Sequence, residues 1–157
     1  MPEAAVILVV EDREDDVIVL RRAFRAAGVL NPVVWVHSGG DALNYLNGLG
    51  QYWNRAEFPM PRLILLDLKM PGVDGFDVLS YIRSKPEYAS IAVIVLTSST
   101  DLKDVQRAYD LGANSFIAKE TEFSNMVALS KLLKDYWLGV NRAVEVQRSQ
   151  QDSERRP

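Results

Sequence analysis

Leu63-Ile64-Leu65-Leu66-Asp67-Leu68-Lys69-Met70-Pro71-Gly72-Val73-Asp74-Gly75 reads as a buried strand that runs into a turn. Four branched apolar residues in a row suit a strand covered on both faces. Asp67 is the first charge after them, and Pro71-Gly72 and Asp74-Gly75 carry turn chemistry. In an open parallel sheet, ligands collect at the carboxyl ends of the strands. A second apolar strand, Val6-Ile7-Leu8-Val9-Val10, runs into Glu11-Asp12. If the two strands are neighbours, three carboxylates meet at one edge of the sheet. At an effective dielectric near 20, two like charges about 4 Å apart repel by roughly 4 kcal/mol. The group therefore asks for a cation, and Mg²⁺, a hard ion that takes oxygen ligands, is the expected one.

Outward from these strands, strand-like and helix-like patterns alternate. Ala4 to Val10 is strand 1. Asp15 to Ala27 has helical spacing in Val17, Leu20, Ala23, Phe24 and Ala27, and Gly28 stops it. Val33 to Val36 is strand 2, and a short helix over Asp41 to Leu49 opens after Gly39-Gly40. Residues 50 to 61 form a longish loop in which Trp53 and Phe58 are expected to pack locally. Strand 3 ends at Asp67. Phe76 to Ser84 is helix 3, stopped before Pro86. Ile91 to Leu96 is strand 4, Leu102 to Leu111 helix 4, Ser115 to Ala118 strand 5, and Glu122 to Leu138 helix 5. Five strands interleaved with five helices predict an α/β fold, a doubly wound five-stranded parallel sheet. The flavodoxin-like order 2-1-3-4-5 puts strand 1 beside strand 3 at the switch point. One domain over residues 4–139 and a polar, disordered tail over 140–157 are expected.

The bulk properties narrow the function classes. A net charge of −3 gives no support for nucleic-acid or general membrane binding. With no cysteine there is no disulfide framework, thiolate metal site or Cys nucleophile. The longest apolar run, Ala4 to Val10, is far too short to span a bilayer. A cytoplasmic protein is the expectation.

Four positions at or just past strand ends form a coherent phosphoryl-transfer site: Glu11-Asp12, Asp67, Thr97 and Lys119. Asp67 suits the nucleophile of aspartyl-phosphate chemistry. Mg²⁺ neutralises the carboxylates and two phosphoryl oxygens, Lys119 meets a third, and the Thr97 hydroxyl hydrogen-bonds to one. Such catalysis is mostly positioning and charge stabilisation. Asp74, Asp15 and Asp16 read as turn, cap or helix-start residues rather than ligands. His37, the only histidine, sits at a strand end and does not read as a phosphodonor.

In this order along the chain, Glu11-Asp12, Asp67, Thr97, Phe116 and Lys119 resemble the motifs of the receiver domain of bacterial response regulators, the CheY-like family, over about residues 4 to 139. The resemblance implies that Asp67 accepts phosphate from a sensor histidine kinase. It implies that Asp12 binds Mg²⁺ directly, Glu11 binds through water, and the backbone carbonyl of Lys69 is the third protein ligand. Thr97 and Phe116 match the family's switch pair, although an aromatic residue on a strand is ordinarily core. Where many family members have proline after the lysine, this chain has Glu120. A cis bond there costs about 3 kcal/mol, so a trans Lys119–Glu120 bond is expected. Glu120, the long loop before strand 3 and Tyr136-Trp137-Leu138 resemble single-domain regulators paired with phytochrome-type kinases.

Helix 5 is apolar more widely than one buried face needs. Met126, Leu129, Leu133 and Trp137 form a stripe that Leu132 and Tyr136 widen, which predicts a homodimer through helix 4, strand 5 and helix 5. Two rival functions stand beside the receiver. A Mg²⁺-dependent aspartyl-phosphate phosphatase of the haloacid dehalogenase type usually needs a second aspartate two residues after the nucleophile, where this chain has Lys69. A vestigial receiver acting only as a binding module would not need the complete set of side chains.

Overall fold

The computed structural model describes residues 5–140. The elements are β1 (Ile7–Val10), α1 (Glu14–Ala27), β2 (Val33–Val36), α2 (Gly39–Asn47), β3 (Leu63–Leu66), α3 (Gly75–Ser84), β4 (Ala92–Thr97), α4 (Leu102–Asp110), β5 (Ser115–Ala118) and α5 (Phe123–Leu132). All four strand pairings are parallel, and the sheet order is β2-β1-β3-β4-β5.

Strand residues alternate between two faces, and each face has its own core. Leu8, Val10, Ile64, Leu66, Val93 and Val95 pack with Tyr45 and Leu46 of α2, Phe76, Leu79 and Ile82 of α3, and Ala108 of α4. Ile7, Val9, Leu63, Leu65, Ile94 and Leu96 pack with Val17, Leu20 and Phe24 of α1 and with Met126 of α5. Because both faces are covered, β1, β3 and β4 are buried along their whole length, while the edge strands β2 and β5 are mostly half-buried. Crossovers α2, α3 and α4 cover one face, and α1 and α5 cover the other. The chain therefore changes winding direction between β1 and β3, which leaves a crevice at their carboxyl ends.

Several boundaries differ from the sequence reading. β1 begins at Ile7 rather than Ala4; Ala4 lies outside the described residues. β3 closes at Leu66, so Asp67 is the first residue past the ladder. α2 starts at Gly39 rather than Asp41, because the Ser38 side chain caps it by accepting from Asp41 N at 3.1 Å. α5 ends as an α-helix at Leu132 and continues in π-helical form over Leu133–Val140. The expected 140–157 tail lies outside the described residues apart from Val140, which closes that helix. No cis peptide bond occurs among the described residues, so the Lys119–Glu120 bond is trans as expected.

The loop before β3 is only partly as anticipated. Phe58 packs edge-on against Tyr45 and Tyr52, at ring separations of 6.1 and 5.2 Å. Arg55 ties the loop to the end of α2, donating to the carbonyls of Tyr45 at 2.7 Å and Leu46 at 2.5 Å. Trp53, expected to pack locally, is instead 73% exposed. Tyr45, Tyr52 and Phe58 already fill the space beneath the loop.

Candidate functional site

The sheet register builds the site. Val10 lies opposite Leu66, so the residues that follow them, Glu11 and Asp67, leave adjacent strands side by side. One carboxylate oxygen from each of Glu11, Asp12 and Asp67 lies within 4.8 Å of the other two. Glu11 and Asp67 are buried and Asp12 is exposed. Asp67 Oδ1 is buried without a hydrogen-bond partner. A buried carboxylate oxygen normally has a donor, so this one is available to an incoming electrophile or cation. An all-oxygen donor set with one orphaned oxygen suits a hard divalent ion.

Lys119 follows β5 and is tethered by its own N–H, which donates to Thr97 O at 2.8 Å. Its ammonium donates to Glu11 Oε2 at 2.6 Å and to Asp16 Oδ2 at 2.8 Å, and lies 3.5 Å from Asp67 Oδ2. Burial works against the charged ammonium. The bonds to Asp16 and Glu11 and the charge of Asp67 outweigh it and hold the lysine above its ordinary pKa. For Glu11, loss of hydration dominates and the neighbouring Asp67 adds to it. Against the pull of Lys119, its carboxyl is pushed up to about 7.

Two close backbone approaches hold the loops. At Gly75 an added Cβ would run into the Asp67 carbonyl and Leu68, and at Gly39 into the Val73 carbonyl. Only hydrogen at the α-carbon lets α2 and α3 press this near the loop that follows β3. Asp74 and Asp77 form a reciprocal capping box that fixes the start of α3.

Thr97 is the last residue of β4 and fully buried. Its Oγ1 accepts from Ser99 N at 3.4 Å. The Ser99 hydroxyl donates to Asp104 Oδ2 at 2.6 Å, and the same oxygen pairs with Lys69 Nζ at 3.1 Å. Phe116 is half-buried against the core on the α3–α4 side, and its N–H donates to the Tyr109 hydroxyl at 3.1 Å.

The crevice thus gathers Glu11, Asp12, Asp67 and Lys119, with Thr97 at the end of the neighbouring strand. The Lys69 side chain points to α4 instead. Asp16 is the residue the sequence reading underweighted. It belongs to the acidic first turn of α1, as read, but it is also a direct partner of Lys119. Glu14, Asp15 and Asp16 look alike as helix-start acids, and only the rotation of α1, set by burial of Val17 and Leu20, selects Asp16. His37 is exposed and stacks on Trp35, with ring centroids 3.9 Å apart.

Residues 7–131 match the family model of the response regulator receiver domain. The chain is similar to a probable methanogenesis regulatory protein, FilR2, of Methanothrix harundinacea. The two are 38% identical over 138 residues, which cover 88% of this chain and 86% of that protein. It is also similar to response regulator Rcp1 of Synechocystis, at 32% identity over 85% of this chain and 88% of Rcp1. The Mn(2+)-bound form of Rcp1 superposes with a TM-score of 0.79 at 29% identity, covering 90% of this chain and 99% of the other. The phosphorylated cyanobacterial phytochrome response regulator RcpA gives a TM-score of 0.83 at 34% identity, with the same coverage.

Proposed function

This chain belongs to the response regulator receiver family, and on that premise we propose that Asp67 is its phosphoryl acceptor. The observation that carries the reading is the buried, partnerless Oδ1 of Asp67, whose other carboxylate oxygen lies 3.5 Å from the Lys119 ammonium, within the three-carboxylate group. An Asp67 oxygen forms a bond to phosphorus as the phosphorus–nitrogen bond of a kinase phosphohistidine breaks. The departing imidazole keeps the electron pair and takes a proton from solvent.

Glu11, Asp12 and Asp67, with the Lys69 carbonyl, would hold a divalent cation, and we assign it as Mg²⁺. When bound, the ion offsets the charge of the carboxylates and of the phosphoryl oxygens. Lys119 exchanges a carboxylate partner for a phosphoryl oxygen. Thr97 donates its hydroxyl to another, and Phe116 turns further inward in the space that Thr97 vacates. The chain catalyses only its own phosphorylation and dephosphorylation. Lys69 at the position where a phosphatase needs its acid, with its ammonium on Asp104, disfavours the phosphatase alternative.

A histidine kinase is the family's partner, and the likeness to RcpA and Rcp1 supports a kinase of phytochrome type. Exposed Leu102 and Tyr109 on α4, Phe123 and Leu132 on α5, and Tyr136 and Val140 beyond it support a homodimer through the α4-β5-α5 face. Leu129 and Trp137, first counted in that face, pack half-buried against the core instead. Residues 4–139 act as one receiver unit in the cytoplasm, without binding nucleic acid. No helix among the described residues is long and apolar enough to cross a membrane.

Intact-mass measurement after treatment with acetyl phosphate and Mg²⁺ tests the reading. One phosphate adduct on wild type and none on Asp67→Asn is expected. An equal adduct on both proteins would sink it.

A further inference from the structure

Glu11 leaves β1 where the sheet ladder stops, since Val10 opposite Val36 is the last pair between β1 and β2. Its N–H still reaches β2, donating to Val36 O at 3.2 Å. Its carbonyl is held differently: the indole N–H of Trp35 donates to it at 2.7 Å. That carbonyl belongs to the peptide plane joining Glu11 to Asp12. Fixing the plane fixes the directions in which both side chains depart.

The donor is itself held in place. The half-buried Trp35 side chain packs against the α1–α5 core. His37, two residues on and on the same side of β2, stacks on it at 3.9 Å with 23° between the planes. The indole is therefore oriented before any ligand arrives. The Glu11 carboxylate is fixed separately, by Arg13 N–H on Oε1 at 3.1 Å and by Lys119 on Oε2. The backbone of the acidic pair has its own support, and Trp35 supplies half of it.

We propose that Trp35 is a positioning residue for the divalent-cation site. Through the Glu11 carbonyl, its indole N–H sets the peptide from which two of the three carboxylates are presented. The inference rests on the reading of Glu11, Asp12 and Asp67 as the metal ligands. A residue with only a packing role would satisfy its N–H on any nearby acceptor. Here the acceptor is the main chain of a ligand, and such outer partners tune metal affinity.

The test is Mn²⁺ binding by calorimetry on wild type, Trp35→Phe, His37→Ala and Asp12→Ala, with melting of each in EDTA. Trp35→Phe keeps an aromatic ring and loses the donor; His37→Ala loses the stacking partner and keeps the donor. Trp35→Phe should bind Mn²⁺ roughly tenfold more weakly. His37→Ala keeps the indole N–H and should weaken binding much less than Trp35→Phe does, and both should melt alike without metal. Equal affinity in wild type and Trp35→Phe overturns the inference, as does equal weakening in both ring variants. A wild type that binds no Mn²⁺ overturns this inference together with the metal site. Unchanged binding in Asp12→Ala overturns the metal assignment itself, and with it this inference. If Trp35→Phe does not fold, the indole ¹⁵N–¹H signal of Trp35 in wild type decides. It should shift saturably with Mg²⁺ in wild type and stay still in Asp12→Ala, while exposed Trp53 stays still in both. A Trp35 signal that Mg²⁺ leaves unmoved overturns the proposal.

Discussion

Lys119 and Lys69 both lie close to Asp67, the first 3.5 Å from it across the sheet edge and the second on the loop that follows it, yet they are used in opposite ways. The Lys119 side chain is 15% exposed and shares its ammonium among Glu11, Asp16 and Asp67. The Lys69 side chain is 58% exposed and has one carboxylate, Asp104 of α4. Burial makes the difference. A charge withdrawn from water leaves several kcal/mol uncompensated when its partner is removed, whereas an exposed pair contributes a few tenths to about 1 kcal/mol. The first lysine holds the charge balance of the site. The second connects the loop after β3 to the first turn of α4 at little energetic stake.

The largest expected effect comes from removing the buried member. Lys119→Ala should cost roughly 3–5 kcal/mol in urea unfolding at pH 8 without metal, because Glu11, Asp16 and Asp67 then face one another unneutralised. The cost should shrink at pH 6, where Glu11 takes a proton, and added Mg²⁺ should restore most of it. A pH-independent loss would mean that packing, not charge, holds this lysine.

A smaller loss is expected from the backbone that lies between the two lysines. Gly75→Ala forces a methyl group against the Asp67 carbonyl, so the loop carrying Lys69 must move. Overpacking of this kind costs about 1–3 kcal/mol. Phosphate labelling by acetyl phosphate should slow in this variant even where the protein is fully folded. Labelling at the wild-type rate would show that the loop tolerates the displacement.

The wild type should also show the imbalance through pH. Glu11 ordinarily titrates near 4.5 and here near 7 because it is buried. Its folded pKa is raised, so its contribution to metal-free stability is complete below about 4.5 and is lost as pH rises through about 7. Divalent-cation affinity should run the other way and strengthen through the same window, since the ion requires the carboxylate. Glu11→Gln should flatten the stability trend. Chemical denaturation in EDTA between pH 5 and pH 8 is the measurement, and a flat wild-type profile would contradict it.

The comparison also shows what a sequence can carry. Strand-end positions for Glu11, Asp12, Asp67, Thr97 and Lys119 follow from apolar runs and breakers alone, because a parallel sheet fixes where its carboxyl ends lie. The order 2-1-3-4-5 follows from handed crossovers and the need to bring acids together. What was not legible depends on rotation and reach. Asp16 meets Lys119 only because α1 is turned to bury Val17 and Leu20. Trp35 reads as an edge-strand aromatic until its indole is seen on Glu11 O. Trp53 looked like packing because nothing in the sequence says that Tyr45, Tyr52 and Phe58 have already filled the loop's interior. The Asp104 partner of Lys69 lies a helix away and leaves no local pattern.

The smallest predicted effect concerns that last pair, and it separates a stabilising contact from a conformational one. Asp104→Ala removes the partner of both Lys69 and the Ser99 hydroxyl. The Asp104 carboxyl is held below its ordinary range first by Ser99 and then by Lys69, so the charged form is the one that makes both contacts. Exposure of Lys69 limits the stability loss to about 1 kcal/mol or less. The Ser99 N–H touches Thr97 Oγ1, the hydroxyl expected to turn toward a bound phosphoryl group. Pinning Ser99 to Asp104 resists that turn; releasing it should ease it. Beryllofluoride with Mg²⁺, a mimic of the phosphorylated site, should therefore bind Asp104→Ala more tightly, by up to roughly fivefold, the equivalent of 1 kcal/mol. Lys69→Ala removes the exposed half alone and should change the affinity less. Weaker beryllofluoride binding in Asp104→Ala would show that the pin supports the phosphorylated arrangement, and Lys69 would then belong with Lys119 on the same side of the switch.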